Sequence, residues 1–284
     1  MLASKPIVQK LKAEIREEAE RRARGGAPPG LAVILAGSDG PSKAYALSKE
    51  SAARSLGIAF TLHRFGDGAE EAEITARIRE LNSDPAVHGV MLELPLPKRL
   101  NAARVIAAID PDKDVDGVTA ESRGRLLQGR LDETLLPVTP LSCLTLIESA
   151  GIDIAGKNVA VVGRGETVGL PLAVLLIKRS ATVTVCHSKT ADLKGVLKRS
   201  DVVVTAAGQA GMIKADMLSQ GQAVIDAGIT VLPDGTLAGD VEKRAAEAVS
   251  WLTPVPGGVG SLTVTLLMKN LLKAMGLQGA GRAA

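Results

Sequence analysis

The sequence predicts an α/β fold with two parallel-sheet domains, because buried strands and helices alternate in two successive series. The first series has predicted strands at 31–37, 58–65 and 89–94. Predicted helices flank them at 1–25, 42–56, 70–81 and 101–109. The second series has four apolar, β-branched runs of the kind buried on both faces of a sheet, at 158–163, 181–186, 201–208 and 223–228. Since each parallel crossover needs a connecting helix, both sheets are predicted to be mainly parallel.

The predicted boundary between the two domains lies near residue 138. A stretch rich in turn residues, 111–129, is predicted to be a loop, and Pro137-Val-Thr-Pro140 looks like the entrance to a new unit. The first domain is therefore predicted to span 1–138 and the second 139–261. A last helical segment, 262–284, follows a glycine-rich loop and is predicted to pack back on the first domain.

The composition excludes several classes of protein. A length of 284 residues suits roughly two domains, and the net charge of +3 comes from basic residues scattered among acidic ones, which argues against nucleic acid. Two cysteines in apolar contexts, Cys143 and Cys186, favour a reducing cytoplasm over a disulfide framework. The histidines have no partner at metal-ligand spacing except the neighbours Cys186 and His187, which point opposite ways on a strand. Neither a signal peptide nor a membrane-spanning run is recognisable. We therefore predict a soluble cytoplasmic protein without a metal site.

A glycine-rich segment follows the predicted strand at 158–163. It contains Gly163-Arg164-Gly165 and Gly169, a spacing one residue longer than the common dinucleotide fingerprint. A strand, a tight turn and a helix N-terminus together let backbone amides approach a pyrophosphate. The glycines alone also fit a purely structural turn, but their context predicts a Rossmann-like domain that binds a dinucleotide.

The end of the next strand favours NADP over NAD. An NAD-binding domain usually has an Asp or Glu there, about 20 residues beyond the glycines, to hold the ribose 2′-hydroxyl. Here the run 181–186 leads into His187-Ser188-Lys189, with no carboxylate. Arg164, Ser188 and Lys189 can instead contact a 2′-phosphate. The alternative is that all three are solvated surface groups.

Polar residues of the first half fall at predicted strand ends and the adjoining loops, where open α/β sheets bind ligands. Tyr45 and Lys49 are four residues apart on a predicted helix and so share a face, as many surface pairs do. Glu93 ends the third predicted strand, and Asp116-Gly117 lies in a loop that also reads as a plain turn. These residues are candidates for a substrate site.

The ordered series of motifs resembles the bifunctional methylenetetrahydrofolate dehydrogenase/methenyltetrahydrofolate cyclohydrolase family. The resemblance covers about residues 5–275 and rests on YxxxK (45–49), ELPLP (93–97), PDKDVDG (111–117), VVGRGETVGLP (161–171), ATVTVCHSKT (181–190), DVVVTAAGQAG (201–211), VIDAGI (224–229), GDV (239–241) and TPVPGGVGSLTVTLL (253–267). It implies a homodimer of two-domain subunits with a cleft between the domains, NADP in the second domain and folate in the first. It also implies oxidation of 5,10-methylenetetrahydrofolate to the methenyl form and hydrolysis of that product to 10-formyltetrahydrofolate.

The resemblance also implies roles for individual residues. Lys49 matches the family's catalytic lysine, Tyr45 the ring that packs along folate, and Asp116 the carboxylate that holds the pterin; Glu93 stands at a catalytic position where the family usually has glutamine. The implied cofactor contacts are Gly163, Arg164, Gly165, Gly169, Ser188 and Ile229. The implied loop beside folate and nicotinamide is Pro256, Gly257 and Gly258.

The chain departs from the family pattern at several positions. Ser38-Asp-Gly-Pro-Ser42 replaces Asp-Asn-Pro-Ala-Ser, Ser122 replaces an asparagine and Ser261-Leu262 replaces Pro-Met, which bears on loop order and folate affinity. The glutamate at position 93 bears on chemistry, because an ionised carboxylate beside Lys49 favours the protonated lysine. Alternatively Glu93 points away from Lys49 or is itself protonated. The cyclohydrolase activity is the part of the prediction that this change affects.

Three other functions remain compatible with parts of the sequence. One is a dehydrogenase that has lost the cyclohydrolase activity. Another is an NADP-dependent Rossmann enzyme of the shikimate dehydrogenase type, which the motifs outside the glycine-rich loop disfavour. The third is a non-catalytic dinucleotide sensor, which leaves Lys49 and Asp116 unexplained.

Overall fold

The computed structural model describes residues 1–26, 28–37 and 40–281 of the chain. The family departure at Ser38 and Asp39 lies outside these described residues. The chain forms two compact units. One, called here the three-stranded unit, comprises Lys10–Leu136 and the chain from Val264 onward; the other, the five-stranded unit, comprises Met1–Gln9 and Pro137–Thr263.

The first half of the chain alternates helices and strands, as the sequence predicts. Its elements are α1 (Lys5–Arg24), β1 (Gly30–Ala36), α2 (Gly40–Ser55), β2 (Ala59–Phe65), α3 (Glu71–Ser83), β3 (Gly89–Leu92), α4 (Ala102–Ile106) and α5 (Ala120–Gln128). The three strands form a parallel sheet in the order β2-β1-β3. All seven residues of the central strand β1 are buried, which explains its unbroken apolar sequence.

The second half repeats this alternation around a larger sheet. Its elements are α6 (Val138–Ser149), β4 (Asn158–Val162), α7 (Gly169–Lys178), β5 (Thr182–Cys186), α8 (Leu193–Lys198), β6 (Val202–Thr205), β7 (Ala223–Asp226), β8 (Thr230–Val231), β9 (Leu237–Ala238), β10 (Trp251–Leu252) and α9 (Val259–Gly281). Five strands pair in parallel in the order β10-β7-β6-β4-β5, while β8 and β9 form a small antiparallel hairpin. The predicted fold class, two parallel-sheet α/β domains, is confirmed.

From Val264 onward, α9 packs within the three-stranded unit. The Asn270 side chain donates hydrogen bonds to the Val115 and Leu136 carbonyl oxygens at 2.9 and 2.8 Å. Close packing here needs Gly89, because a Cβ at that position would lie 2.7 Å from Leu271 Cδ1. No helix in the described part of the chain combines the length and apolar character needed to cross a membrane.

Two features differ from the sequence predictions. The stretch 111–129, predicted as a loop, contains helix α5, which the Thr119 side chain caps by accepting from Ser122 N and which Gly129 ends with φ +83°. The first nine residues, predicted to belong to the first domain, group with the five-stranded unit instead. The reason is a set of hydrogen bonds within that unit, including Leu2 N to Leu252 O at 2.8 Å.

Candidate active site

A buried ion pair joins helix α2 to the end of strand β3. Lys49 Nζ donates to both Glu93 carboxylate oxygens, at 2.7 Å to Oε1 and 3.0 Å to Oε2. The two side chains are only 10% and 6% exposed. Glu93 is held there because its backbone amide donates to Ile34 O and so extends the pairing of β3 with β1. The alternative that Glu93 points away from Lys49 is therefore wrong.

Tyr45 lies one helical turn before Lys49, on the same face of α2. Lys49 Nζ is 5.8 Å from the centroid of the Tyr45 ring, within the range of a cation–π contact. The tyrosine is 38% exposed, so its ring remains available to a ligand. The predicted shared face of these two residues is confirmed.

Asp116 lies in a loop that a second carboxylate holds in shape. Asp114 is fully buried and accepts hydrogen bonds from Val118 N at 3.1 Å, Thr119 N at 2.8 Å and Ser122 Oγ at 2.8 Å. Gly117 follows Asp116 with φ +67°, a conformation that favours glycine. Ser122, which replaces the family's asparagine, thus supplies a hydrogen bond that helps to order the loop.

The electrostatic environment of Asp116 is unusual for a carboxylate. Burial, and after it the nearby Asp114 carboxylate, raises the pKa of Asp116 to about 7. The positive charge of Lys49 opposes this rise, and the negative charge of Glu93 adds to it. Asp116, Lys49 and Glu93 therefore form one electrostatically coupled group, in which Asp116 can gain or lose a proton near neutral pH.

The glycine-rich turn of the five-stranded unit connects β4 to α7. Gly163 has φ +114°, and a Cβ there would lie 2.3 Å from Ala206 O. A Cβ at Gly169, the first residue of α7, would lie 2.1 Å from Gly163 O. Both glycines are thus needed for close backbone approach. Gly165 differs, because its Cβ position has no heavy atom within 4 Å and its φ lies outside the left-handed region.

The other predicted cofactor residues lie at the same, carboxyl edge of this sheet. Arg164 and Ser188 are exposed and follow the neighbouring strands β4 and β5. Gly163 N donates to Cys186 O at 2.9 Å, which ties the glycine-rich turn to the end of β5. Ile229 follows β7 and is 42% exposed, an unusual position for a large apolar side chain.

The predicted loop at Pro256–Gly258 follows strand β10. Gly257 has φ +101°, and a Cβ at Gly258 would lie 2.5 Å from Pro254 O, so both positions require glycine. Ser4 Oγ donates to Gly257 O at 2.9 Å and fixes the loop to the residue that precedes α1. Pro256 itself is exposed.

Sequence reasoning missed two buried carboxylates at the carboxyl edge of the five-stranded sheet, Asp226 and Asp240. Both are at most 3% exposed. The available signal was the presence of aspartate in two otherwise apolar or glycine-containing motifs, VIDAGI and GDV. Within the described residues, no three His, Cys, Asp or Glu side chains are grouped so as to hold a metal ion.

A five-stranded parallel unit with a glycine-rich strand-to-helix turn, in one chain with a second α/β unit that buries a lysine–carboxylate pair, defines a dinucleotide-binding α/β enzyme. Comparison with known protein families agrees with this class of protein. The catalytic-domain model of tetrahydrofolate dehydrogenase/cyclohydrolase matches residues 2–116, and the NAD(P)-binding-domain model of the same family matches residues 137–278. The chain belongs to the tetrahydrofolate dehydrogenase/cyclohydrolase family.

Individual relatives cover nearly the whole chain. The bifunctional protein FolD 2 of Desulfitobacterium hafniense is 49% identical over 98% of this chain and 97% of its own length. The bifunctional FolD of Heliobacterium modesticaldum is likewise 49% identical, over 97% of this chain and 96% of its own. The resemblance that the sequence motifs indicate is therefore confirmed.

Solved structures show the same similarity. The bifunctional FolD of Campylobacter jejuni superposes with a TM-score of 0.94 at 35% identity, covering 98% of both chains. The Trypanosoma brucei FolD complexed with NADP and an inhibitor gives a TM-score of 0.91 at 32% identity, covering 99% of this chain and 97% of that one. By contrast, the Thermus thermophilus shikimate dehydrogenase gives 0.50 at 15% identity over 89% of this chain and 98% of that one, a likeness of fold alone.

Proposed function

We propose that this chain oxidises 5,10-methylenetetrahydrofolate with NADP and hydrolyses the methenyl product to 10-formyltetrahydrofolate. Family membership supports both activities. The observation that carries the proposal at the level of residues is the buried Lys49–Glu93 pair, electrostatically coupled to Asp116 and beside an exposed tyrosine ring. The desolvation cost of burying two charges largely offsets their attraction, so stability alone is a poor explanation for this buried pair.

The oxidation step requires no acid or base from the protein. The methylene carbon loses a hydride and becomes part of a delocalised methenyl cation, so no group has to remove a proton. NADP, when bound, supplies the hydride acceptor. The residues of the three-stranded unit contribute by holding folate, with the exposed Tyr45 ring offering a flat apolar surface for it.

The hydrolysis step needs a group that moves protons. Water adds to the methenyl cation and loses a proton, and the ring then opens at a nitrogen that gains one. Lys49 is the group we assign to this transfer, because its amine lies in a water-poor environment and can donate in its charged form and accept in its neutral form. Glu93 contacts the same amine and accepts hydrogen bonds from it with both carboxylate oxygens.

Asp116 is the residue we assign to pterin binding. A pterin presents an amino group and a ring N–H side by side, and one ionised carboxylate can accept both hydrogen bonds. The loop fixed by Asp114 holds Asp116 in place before the substrate arrives. Since the pKa of Asp116 is about 7, folate binding is expected to select its ionised form.

The glycine-rich edge of the five-stranded unit fits a dinucleotide phosphate. Gly165 has no packing neighbour that demands a glycine, so its missing side chain leaves room for a ligand to approach the backbone. Arg164 and Ser188 are both exposed at this edge, with no carboxylate at the end of β5. These residues favour the 2′-phosphate of NADP, which an arginine binds with two hydrogen bonds.

We also infer a homodimer located in the cytoplasm. The dimer rests on the family resemblance, and the location on the two free, buried cysteines, which suit a reducing compartment.

One assay tests the proposed function against its alternatives. The purified protein is mixed with methylenetetrahydrofolate and NADP, while reduced cofactor, methenyl and formyl products are followed separately; a parallel reaction contains shikimate. We expect reduced cofactor and formyl product with the folate only. Methenyl product without formyl product would identify a dehydrogenase that has lost the second activity, and turnover of shikimate would reassign the substrate. No reaction with either would leave a dinucleotide-binding protein without this catalysis.

A further inference from the structure

Asp240, from the unassigned GDV motif, lies buried beneath the loop that follows β6. Its carboxylate accepts hydrogen bonds from two backbone amides of that loop, from Ala207 N to Oδ2 at 2.6 Å and from Gln209 N to Oδ1 at 2.7 Å. The side chain is completely buried. One carboxylate thus replaces the backbone partners that these two amides would have in a regular element.

A second carboxylate, Asp226 at the end of β7, holds Asp240 in turn. Asp226 Oδ1 accepts from the backbone amides of Asp240 and Gly228, each at 3.0 Å, and Oδ2 accepts from Val241 N at 2.9 Å. Thr205 is the last residue of β6, and its Oγ1 donates to Asp226 Oδ1 at 3.0 Å. The two carboxylates therefore connect the segments that follow β6, β7 and β9; we call this pair the aspartate brace.

Two glycines make room for the aspartate brace. A Cβ at Gly228 would lie 2.2 Å from Asp240 Cγ, and a Cβ at Gly239 would lie 2.0 Å from Asp226 Oδ2. Contacts this short do not occur between real atoms, so each glycine accommodates the carboxylate of the other segment. The glycines in VIDAGI and GDV are thus explained by the aspartates of the partner motif.

The loop held by Asp240 lies directly against the candidate cofactor turn. Ala206 O lies 2.3 Å from the Cβ position of Gly163, so this loop and the glycine-rich turn are in backbone contact. Ile229, a predicted cofactor contact, immediately follows Gly228, whose amide Asp226 holds. The aspartate brace therefore fixes both the loop that contacts the glycine-rich turn and the residue before Ile229.

We propose that Asp240, supported by Asp226, is a positioning residue for the dinucleotide, which keeps the loop after β6 in its binding shape before the cofactor arrives. This inference rests on the proposed NADP-dependent function. Burying two carboxylates costs desolvation free energy, and their hydrogen bonds to otherwise unpaired backbone amides offset that cost. A loop that is already ordered loses less conformational entropy on binding, so the aspartate brace strengthens cofactor binding without touching the cofactor.

The test compares Asp240→Asn with Asp201→Asn. The asparagine at 240 directs an amide NH2 at one of the two backbone N–H groups, so the loop loses a charge-assisted hydrogen bond. Asp201 is the matched control, because it also accepts from a backbone amide, Asn158 N at 2.8 Å, but precedes β6 at the opposite edge of the sheet. We expect the Kd of NADP to rise about 10- to 100-fold in Asp240→Asn and to stay unchanged in Asp201→Asn.

The kinetic readout separates positioning from a merely structural role. A positioning role raises KM for NADP much more than KM for methylenetetrahydrofolate, at temperatures where the variant is folded. A lower midpoint of thermal unfolding with unchanged NADP affinity would overturn the proposal. If the unmodified protein itself fails to bind NADP, the proposed function is wrong, a result that the binding titration of the unmodified protein reveals first.

Hydrogen exchange in the unmodified protein gives an answer even if Asp240→Asn does not fold. We expect the amides of Ala207 and Gln209 to be protected already without NADP and to gain little protection when NADP is added. Amides that exchange freely and become protected only with NADP would show that the loop is not pre-formed, which contradicts the proposal.

Discussion

The candidate folate site consists mainly of charged side chains, whereas the candidate cofactor site consists mainly of backbone. In the three-stranded unit the chemistry lies in charged side chains, the buried Lys49 and Glu93 and the partly buried Asp116, whose pKa responds to the charges of the other two. In the five-stranded unit the site is mainly backbone, shaped by glycines at positions such as Gly163 and Gly169. A substitution in the first site is therefore expected to change how the enzyme responds to pH and how its two reactions are balanced. A substitution in the second is expected to change affinity for the cofactor.

The largest expected effect is that of removing the carboxylate of Asp116, to which we assign pterin binding. Asp116→Ala should lower both activities at least about 100-fold, since the folate ring is no longer held in a reactive position. NADP binding should remain intact. The control is Asp112→Ala in the same loop region, because Asp112 forms an ion pair with Arg125 at 2.9 Å and has no assigned contact with folate. Near-normal folate affinity in Asp116→Ala would return Asp116 to the role of a plain turn residue.

The next effect concerns the cofactor site of the five-stranded unit and its candidate arginine contact. Arg164→Ala should weaken NADP binding by about 1.5 to 3 kcal/mol, as for a charge-assisted hydrogen bond, and hardly affect NAD. Arg199→Ala serves as the control, since Arg199 is exposed and precedes β6 at the opposite edge of the sheet. Titrations that give the unmodified protein equal affinities for NADP and NAD would refute the cofactor assignment.

A smaller effect is expected from neutralising Glu93, the partner of Lys49, to which we assign the proton transfer. Glu93→Gln replaces the carboxylate that forms an ion pair with Lys49 by a neutral amide of similar shape, so the amine is no longer held by an opposite charge. We expect hydrolysis to become about tenfold faster while hydride transfer hardly changes. In the unmodified protein methenyltetrahydrofolate should accumulate transiently, which its absorbance in the coupled reaction reveals.

The matched control for this prediction is Glu50→Gln. Glu50 is the residue after Lys49 on α2, but it pairs with Arg54 at 2.7 Å. If the unmodified protein forms formyl product without a lag and Glu93→Gln is slower, Glu93 takes part in catalysis instead of restraining it.

The smallest effect is a change in stability with pH. The raised pKa of Asp116 means that its contribution to stability is fully present below the ordinary carboxyl pKa of 3.8 and is lost as pH rises through about 7. Asp116→Asn does not titrate, so without ligand it should be more stable than the unmodified protein by about 1 kcal/mol at pH 8 and show no advantage at pH 4. Thermal unfolding at both pH values measures this. An advantage of equal size at both would mean that charge is not its cause.

Much of this architecture can be predicted from the sequence because it depends on local patterns. The buried strands have continuous apolar sequences, such as Gly30–Ala36, and the glycine-rich turn follows its strand directly. Helix α5 was missed because Gly124 lies inside it and turn residues surround it, while its cap at Thr119 stands in a loop-like context.

The aspartate brace could not be predicted for a different reason. Asp226 and Asp240 are 14 residues apart, and Asp240 bonds amides 31 and 33 residues away. Nothing in the local sequence indicates which backbone amides a buried carboxylate will contact, because the fold of the sheet brings these distant residues together. The Lys49–Glu93 pair, 44 residues apart, could be proposed only through the resemblance to a family.

The contact between Glu93 and Lys49 also bears on how such an enzyme can change over generations. Glutamate and glutamine codons differ only in their first nucleotide, so a single point mutation exchanges the carboxylate for an amide of almost the same shape. The pool of methenyltetrahydrofolate in the cell would then be adjustable by natural selection at one codon, without rebuilding the folate site or the cofactor site.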